Sequence, residues 1–589
     1  MIRPPATLPL HIPLGLSLAL LGGCAMFPQQ PAEAKAQAAT HAAVPAAPAT
    51  PTGSDSPDAV ESPEAQAQYH VLTGEMAAGR QMPAIAAQEF LKALDYAPDA
   101  QLAARATALA LAGQREDLAL TAARKWLSIE PSSLDAREVI TRLALRAGLD
   151  DEAYQQSLAI VRNHPGGIDD GLRHVSLLLA QDPSKGDAAI ALMNRLVAQY
   201  PKRAGAHIAA SLLELRFNHT ADAETEARAA LRIAPQSRDA SMLLVDALIK
   251  QNRIDDADAV IDDQTRGAKD ANDLRLAYAR LLLEDNQREP ARRQLERVLK
   301  SDADNPDAHF ALGLLDLDER KLDAAESQLR PLVKDADHKM EAFYFLGRIA
   351  ELRNQPKAAL DDYAKVTSGN QALDASVRRA TLLARSNHLP EAREIFEQLR
   401  RQYPPLAQRF YSAEGEALID AGQYTDALDL FNRALGLFPN DPDLLYSRSL
   451  AYERLGKVDL AEADLRAILA KSPDDARALN ALGYMLTVHT GRIDEAQKLI
   501  SRALQLTPND PAVIDSAGWV QYKAGHPKEA LPLLQKALAM FPDPEVAAHL
   551  GEVLWTLGDK DQARDVWSRA QHSDPNNAVL RETVQRLTQ

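Results

Sequence analysis

The chain has one cysteine, few aromatic residues and, beyond its first 24 residues, no long apolar run. A single cysteine excludes an intramolecular disulfide and a cage of thiolates around a metal ion. Aromatic residues make up only 5%, but hydrophobic residues make up 46% and charged residues 25%, so the chain is able to bury a core. The net charge of −16 argues against nucleic acid as a partner, because a phosphate backbone requires a basic surface. The same charge biases association toward basic proteins.

The lone cysteine, Cys24, follows features that are typical of an export signal. A basic residue at position 3, an apolar run over residues 8–21 and two glycines precede it, and the run is too short for a comfortable membrane span. The stretch Leu21-Gly22-Gly23-Cys24 resembles a bacterial lipobox. This resemblance implies that residues 1–23 are a signal peptide, removed before Cys24, and that Cys24 carries the acyl chains. The other interpretation of a lone cysteine is a small buried residue.

Lipidation of Cys24 would decide where the protein resides. In sorted bacterial lipoproteins, a residue such as Ala25 after the cysteine, rather than Asp, implies the outer membrane of a Gram-negative cell, with the body in the periplasm. Each buried methylene contributes about 0.8 kcal/mol, so several acyl chains form a stable anchor. Residues 24–66 are rich in Ala, Pro, Ser and Thr and predict a disordered tether with a span of roughly 35 Å. The tether either holds the body away from the membrane or is a generic spacer.

From residue 67 onward an alanine recurs at intervals of 33 to 36 residues. These alanines are Ala86, Ala119, Ala153, Ala189, Ala223, Ala257, Ala291, Ala325, Ala359, Ala392, Ala427, Ala461, Ala496, Ala530 and Ala563. Gly or another small residue often lies twelve residues before the alanine, a large apolar residue often lies four residues after it, and Pro often follows twelve residues after it. Self-similarity at such a period is the signature of a repeat protein.

The spacing predicts two amphipathic helices per repeat, joined by a short turn that often contains Gly, as at Gly422 and Gly525. Small residues let the two helices approach closely, the large residue fills the space beside them, and Pro ends the second helix. This pattern resembles the tetratricopeptide repeat (TPR) family. The resemblance implies an all-α solenoid, a right-handed superhelix of about fifteen hairpins over residues 67–575, followed by a capping helix at 576–589. The repeats at Ala119, Ala153 and Ala189 are degenerate.

In TPR proteins the first helix of each repeat lines a concave face, and the resemblance places seven residues of the last repeats there. They are Asn480, Tyr484, Asp515, Trp519, Tyr522, Glu552 and Trp555. Tyrosine and tryptophan flanked by polar groups are typical of protein recognition. The aromatic residues have a second interpretation, because they also pack between repeats. The sequence predicts no catalytic constellation, no metal site and no cofactor, so we expect a protein that is not an enzyme.

The layout of lipobox, Ala/Pro-rich tether and TPR array is similar to that of outer-membrane lipoproteins, of the LbcA type, that serve as adaptors of periplasmic carboxyl-terminal processing proteases. The resemblance implies a scaffold that binds such a protease and presents peptidoglycan cross-link hydrolases for degradation. One alternative is an assembly scaffold for polysaccharide export or a pilus. Another is a peptidoglycan-modifying enzyme, which hydrolysis of cell wall by the pure protein would support.

Overall fold

The computed structural model describes residues 62–575 and 577–588. The predicted signal peptide, Cys24 and most of the predicted tether lie outside these residues. The described residues form α-helices with a few short turns of other helical type, and no strand occurs among them, which confirms the predicted all-α class. Among these same residues, no helix combines the length and the apolar character that crossing a membrane requires.

The described chain divides into two compact units, residues 62–308 and residues 309–588. The helices of the first unit are α1 (Pro63–Gly79), α2 (Pro83–Tyr96), α3 (Ala100–Ala112), α4 (Glu116–Ile129), α5 (Leu134–Arg146), α6 (Asp150–Asn163), α7 (Ile168–Leu179), α8 (Gly186–Gln199), α9 (Ala204–Arg216), α10 (Thr220–Ile233), α11 (Arg238–Lys250), α12 (Ile254–Gln264), α13 (Ala271–Glu284) and α14 (Arg288–Ser301).

The boundary between the units falls within α15 (Pro306–Asp318). The helices that follow are α16 (Leu322–Leu329), α17 (Lys339–Leu352), α18 (Pro356–Tyr363), α19 (Ala372–Arg385), α20 (Leu389–Gln402), α21 (Ala407–Asp420), α22 (Tyr424–Leu437), α23 (Pro442–Arg454), α24 (Val458–Lys471), α25 (Ala476–Met485), α26 (Ile493–Leu506), α27 (Pro511–Lys523), α28 (Pro527–Met540), α29 (Pro544–Thr556), α30 (Lys560–Ser573) and α31 (Ala578–Thr588).

Side-chain caps and prolines decide where many of these helices begin. The side chains of Asp475, Asp510 and Asp543 each accept a hydrogen bond from a backbone N–H in the first turn of α25, α27 and α29, which satisfies a donor that would otherwise lack a partner. The same chemistry starts α1 a few residues before the predicted repeat region, because Ser62 caps the helix and Pro63 occupies its first position. Pro suits this position, where no helical hydrogen bond is lost.

The turns inside the hairpins contain a residue in the left-handed backbone region. Gly422 has a φ of 75° and Gly525 a φ of 87°, so the predicted role of glycine in these turns is confirmed. In several N-terminal hairpins, Asn takes the same role, as at Asn218 with a φ of 64°. Asn tolerates this region better than most residues because its short polar side chain bonds locally.

The predicted register of the repeat is confirmed by burial. Every one of the fifteen recurring alanines is at most 2% exposed. A Cβ atom added to Gly347 would lie 2.6 Å from Cε1 of Tyr363, and one added to Gly518 would lie 2.7 Å from Cγ of Leu534. Glycine on the first helix therefore makes room for a bulky residue on the second. This close approach is what the Gly and Ala spacing predicts.

Candidate functional site

The seven residues predicted for the concave face lie on three first helices of neighbouring hairpins in the second unit. Helix α25 carries Asn480 and Tyr484, α27 carries Asp515, Trp519 and Tyr522, and α29 carries Glu552 and Trp555. Helix α27 packs against both α25 and α29. The repeat therefore places side chains that are about 34 residues apart in sequence next to one another.

A one-residue insertion shapes the end of α25. The helix continues as a π-helix over Leu486–Thr490 and then ends at Gly491, which has a left-handed φ of 70°. A π-turn accommodates one extra residue without breaking the helix. The longer interval between Ala461 and Ala496 in the sequence is explained by this turn, which begins two residues after Tyr484.

Asp515, His549 and Trp519 form a layered cluster between α27 and α29. Both carboxylate oxygens of Asp515 lie 3.1 Å from Nδ1 of His549, and Asp515 has no exposed surface. The indole of Trp519 stacks on the imidazole, with ring centroids 3.9 Å apart and an interplanar angle of 19°. A buried carboxylate is tolerated only with such a polar partner, so the pair fixes the relative position of the two helices.

Tyr484 joins the cluster from α25. Its hydroxyl donates a hydrogen bond of 2.8 Å to Oε1 of Glu545, and its ring centroid lies 6.1 Å from that of His549. Burial, together with the charges of Glu545 and Asp515, raises the pKa of Tyr484 well above its ordinary value. The phenol therefore stays protonated and remains a hydrogen-bond donor.

Tyr522, Lys523 and Glu552 extend the cluster toward solvent. The Tyr522 hydroxyl donates to Oε1 of Glu552 at 3.3 Å, and burial raises its pKa. The Lys523 ammonium lies 4.4 Å from the Trp519 ring centroid and 3.9 Å from Oε1 of Glu552. Arg586 of α31 pairs with the other carboxylate oxygen. The buried charge of Glu552 is thus compensated, and the Lys523 ammonium also lies over the face of the Trp519 ring.

Trp555 and Asn480 lie apart from this cluster. The Trp555 ring lies against Trp567 of α30 at a centroid distance of 5.6 Å, and the Lys560 ammonium is 4.8 Å from its centroid. The side-chain oxygen of Asn480 is buried and accepts no hydrogen bond in the described part of the chain. Five of the seven predicted residues therefore lie in one cluster, and Trp555 and Asn480 lie outside it. The five are Tyr484, Asp515, Trp519, Tyr522 and Glu552.

His549 and Glu545 were not among the site residues predicted from the sequence. Both are buried on α29, at 4% and 7% exposure, and both contact predicted residues. Their signal in the sequence was weak, because a His and a Glu on an amphipathic helix are usually solvated surface residues. Tyr484, Asp515, Trp519 and Glu552 are buried, whereas Asn480, Tyr522 and Trp555 are half-buried.

Comparison with known protein families identifies tetratricopeptide repeats in this chain. The model of the tetratricopeptide repeat family matches residues 208–269, 276–329, 311–372, 377–442, 446–511 and 516–578, which together make up more than half of the chain. The hairpins before residue 208 lie outside these matches.

Two curated bacterial relatives share part of the chain. "TPR repeat-containing protein PA4667" of Pseudomonas aeruginosa is 38% identical over 247 residues, which is 42% of this chain and 42% of that protein. "Cellulose synthase operon protein C" of Pseudomonas fluorescens is 27% identical over 192 residues, 31% of this chain and 15% of that protein. The chain thus covers less than half the length of each of these relatives.

A solved structure, the APC/C hetero-tetramer Cut9-Hcn1, matches 89% of this chain and 97% of its own at 14% identity, with a TM-score of 0.33. The recurring alanines from Ala223 to Ala563 lie within the residues that the family model matches. The chain belongs to the tetratricopeptide repeat family, whose members are typically non-enzymatic scaffolds for protein–protein interaction.

Proposed function

We propose that the protein is a periplasmic scaffold, anchored to the outer membrane through acylated Cys24, that binds a carboxyl-terminal processing protease and promotes degradation of peptidoglycan cross-link hydrolases. One observation carries the proposal: a single chain joins the lipobox-like stretch ending at Cys24, an Ala/Pro-rich segment and a long series of TPR hairpins. An anchored scaffold of this kind acts by holding a soluble protease and its substrates together, which raises their effective concentration.

The cluster on α27 and α29 is the docking site in this proposal. Its buried layer of Asp515, Trp519 and His549 is a rigid support that a partner does not need to rearrange. The side of the cluster nearest to solvent contains Tyr522 and Lys523, so an aromatic ring and a cation are available for contact with a partner. Aromatic residues on a rigid support contribute strongly to binding because little side-chain entropy is lost. Trp555 with Lys560 provides a second such pair nearby in the chain.

The test is capture of partners from detergent-solubilised envelopes, with the full chain carrying a C-terminal affinity tag and mass spectrometry of the bound proteins. We expect a carboxyl-terminal processing protease and cell-wall hydrolases. The double variant Tyr522→Ala/Trp555→Ala should recover at least about tenfold less protease, as loss of two aromatic contacts predicts. Tyr96→Ala is the matched control, because Tyr96 is an aromatic residue of the first unit with 43% exposure.

A second experiment separates binding from function. The purified chain is added to the purified protease with a cross-link hydrolase as substrate, and the rate of hydrolase degradation is measured. The proposal requires that the chain accelerates degradation. A protease that neither binds the chain nor changes its turnover contradicts the proposal. The variant Cys24→Ser tests the anchor, since it should release the protein from the membrane fraction without changing degradation in solution.

The alternative is an assembly scaffold for polysaccharide export or a pilus. Its support is the partial similarity to the protein named for a cellulose synthase operon. The same capture experiment discriminates between the two proposals. Recovery of an outer-membrane barrel, a synthase subunit or a pilin, with no protease, favours the assembly scaffold.

A further inference from the structure

The turn between α9 and α10 in the first unit holds three potential metal ligands. Glu214 lies in the last turn of α9, His219 immediately precedes α10, and Asp222 lies in the first turn of α10. One carboxylate oxygen from each acid and a ring nitrogen of His219 all lie within 4.8 Å of one another. The left-handed residue Asn218 reverses the chain between them.

Glu214 occupies a position that the repeat normally reserves for an apolar side chain. The position lies nine residues before the recurring alanine, here Ala223. Ten of the fourteen other hairpins have Ala or Leu there, namely Ala77, Ala110, Ala144, Ala180, Leu248, Leu282, Ala350, Leu383, Leu418 and Leu554, and the other four have Asp316, Tyr452, Thr487 and Gln521. The backbone confirms the equivalence, since the carbonyl oxygens of Glu214 and Leu248 accept the same turn hydrogen bond, from the N–H of His219 and of Arg253.

The Glu214 carboxylate has no strong partner in the described residues. The residue is 4% exposed, and its Oε2 atom is buried without a hydrogen bond. Within the described chain, no Lys or Arg pairs with it, and its ionic neighbour is His219, whose Nδ1 lies 3.4 Å from Oε2. A buried carboxylate without hydrogen bonds is costly, so a missing bound group is a direct explanation for its place in the core.

We propose that Glu214, His219 and Asp222 bind a divalent transition-metal ion, with zinc as the ion that fits best. Ligands at about 2.0–2.2 Å from a tetrahedral zinc lie roughly 3.3–3.6 Å from one another. The Nδ1 atom of His219 is 3.4 Å from Glu214 and 3.9 Å from Oδ2 of Asp222, so small side-chain adjustments complete the geometry. An imidazole ligand favours zinc over calcium or magnesium, which take oxygen ligands.

The site has three protein ligands and an open fourth position. Asp222 and His219 are on the surface, with side-chain exposures of 71% and 41%, so an ion enters from solvent and keeps a water or a ligand from another molecule. The bound ion joins the end of α9 to the start of α10 and thereby holds this hairpin closed. This site is independent of the cluster on α27 and α29 and of the proposed function.

The test is zinc binding to the full chain, measured by competition with a chromophoric chelator, together with hydrogen exchange of the turn. We expect one zinc ion bound per chain at the tightest site. Glu214→Leu, which installs the side chain of equivalent hairpins, and His219→Gln should each weaken this binding at least about tenfold, as loss of one of three ligands predicts. Zinc should slow amide exchange around residues 215–223 in the parent and not in either variant.

His526→Gln is the matched control. His526 also immediately precedes a second helix, α28, but the residue equivalent to Glu214 there is Gln521. The control should bind zinc as the parent does. Equal zinc affinity of the parent and Glu214→Leu overturns the proposal, as does loss of binding in His526→Gln to the same extent, which would indicate scattered surface histidines. Unchanged amide exchange at the turn also overturns it.

Discussion

Ala530 illustrates how a single small side chain specifies the packing of a hairpin. It lies in α28 with no exposed surface, and a Cβ added to Gly518 of α27 would come within 3.3 Å of its carbonyl oxygen. The two backbones are therefore in close contact at this point. A larger side chain at position 530 has no free volume to occupy, because protein interiors are close-packed.

We predict that Ala530→Leu lowers the free energy of unfolding by about 1–3 kcal/mol through overpacking. The measurement is chemical denaturation followed by circular dichroism. Ala539→Leu is the control on the same helix, since Ala539 is exposed, and it should leave stability within about 0.5 kcal/mol of the parent. An unchanged midpoint for Ala530→Leu would mean that the helices are not in contact there.

Glu416 of α21 makes stability depend on pH. Burial, together with the charges of Asp420 and Asp443, raises the pKa of Glu416 from its ordinary value of 4.5 to about 7. The folded state therefore binds this proton more tightly than the unfolded state. The resulting stabilisation is complete below pH 4.5 and is lost as the pH rises through 7, because the carboxylate must then be charged in a half-buried position.

We predict that Glu416→Gln, which mimics the protonated acid, is more stable than the parent by about 1–3 kcal/mol at pH 8 and equal to it near pH 4.5. Denaturation midpoints of both proteins across this range give the comparison. Glu397→Gln serves as the control because Glu397 is exposed. Parallel pH profiles of the parent and Glu416→Gln would show that this carboxyl titrates normally.

At the scale of the helix, the role of a glycine depends on whether it packs against a neighbouring side chain or is exposed to solvent. A Cβ on Gly551 of α29 would collide with the indole of Trp567, which is 2% exposed. Gly436 of α22 is exposed, and within the described residues an added Cβ would meet no atom within 4 Å apart from its chain neighbours and the backbone of its own helix. The first glycine is required by packing, whereas the second only adds freedom to the unfolded chain.

We predict that Gly551→Ala lowers the unfolding free energy by about 1–3 kcal/mol, as overpacking does. By contrast, Gly436→Ala should raise it by about 0.5–1 kcal/mol, since Ala is the better helix former. Both variants are compared with the parent by urea denaturation. Stabilisation by Gly551→Ala would show that the Trp567 side chain can move away without loss of packing.

At the scale of the whole molecule, packing is local along the chain. The helices that share substantial contact surface are neighbours in sequence or separated by one helix. Stability in such a protein is close to a sum over hairpins and the interfaces between successive hairpins. Cooperative unfolding of all described residues in one step is therefore not expected.

We predict that thermal unfolding of the full chain is not two-state. Scanning calorimetry should give a van't Hoff enthalpy clearly smaller than the calorimetric enthalpy, because parts of the chain unfold separately. Gly551→Ala should lower the temperature of one component of the transition and leave the others in place. Equal enthalpies, or a uniform shift of the whole transition, would contradict local packing.

Local sequence patterns were sufficient to predict the helical hairpins, their register and their turns. The features that specify them are the recurring alanines, the glycines that face Phe, Tyr, Leu or Trp, and the left-handed turn residues. These residues make their contacts with residues close by in the chain, so their spacing is sufficient to predict the hairpins. Asp515 and Trp519 were predicted as site residues for the same reason, since they occupy positions on the first helix of a strong repeat.

The contacts between polar side chains, by contrast, depend on how the helices pack in three dimensions. Asp515 and His549 come from different hairpins and pair because α27 packs on α29, and no spacing rule selects this histidine from the fourteen in the chain. Glu214, His219 and Asp222 are close in sequence, yet their spacing is ordinary for a turn. We propose them as a metal site because Glu214 is buried and its Oε2 has no hydrogen bond in the described structure, and the energy of a polar group depends on what surrounds it in three dimensions.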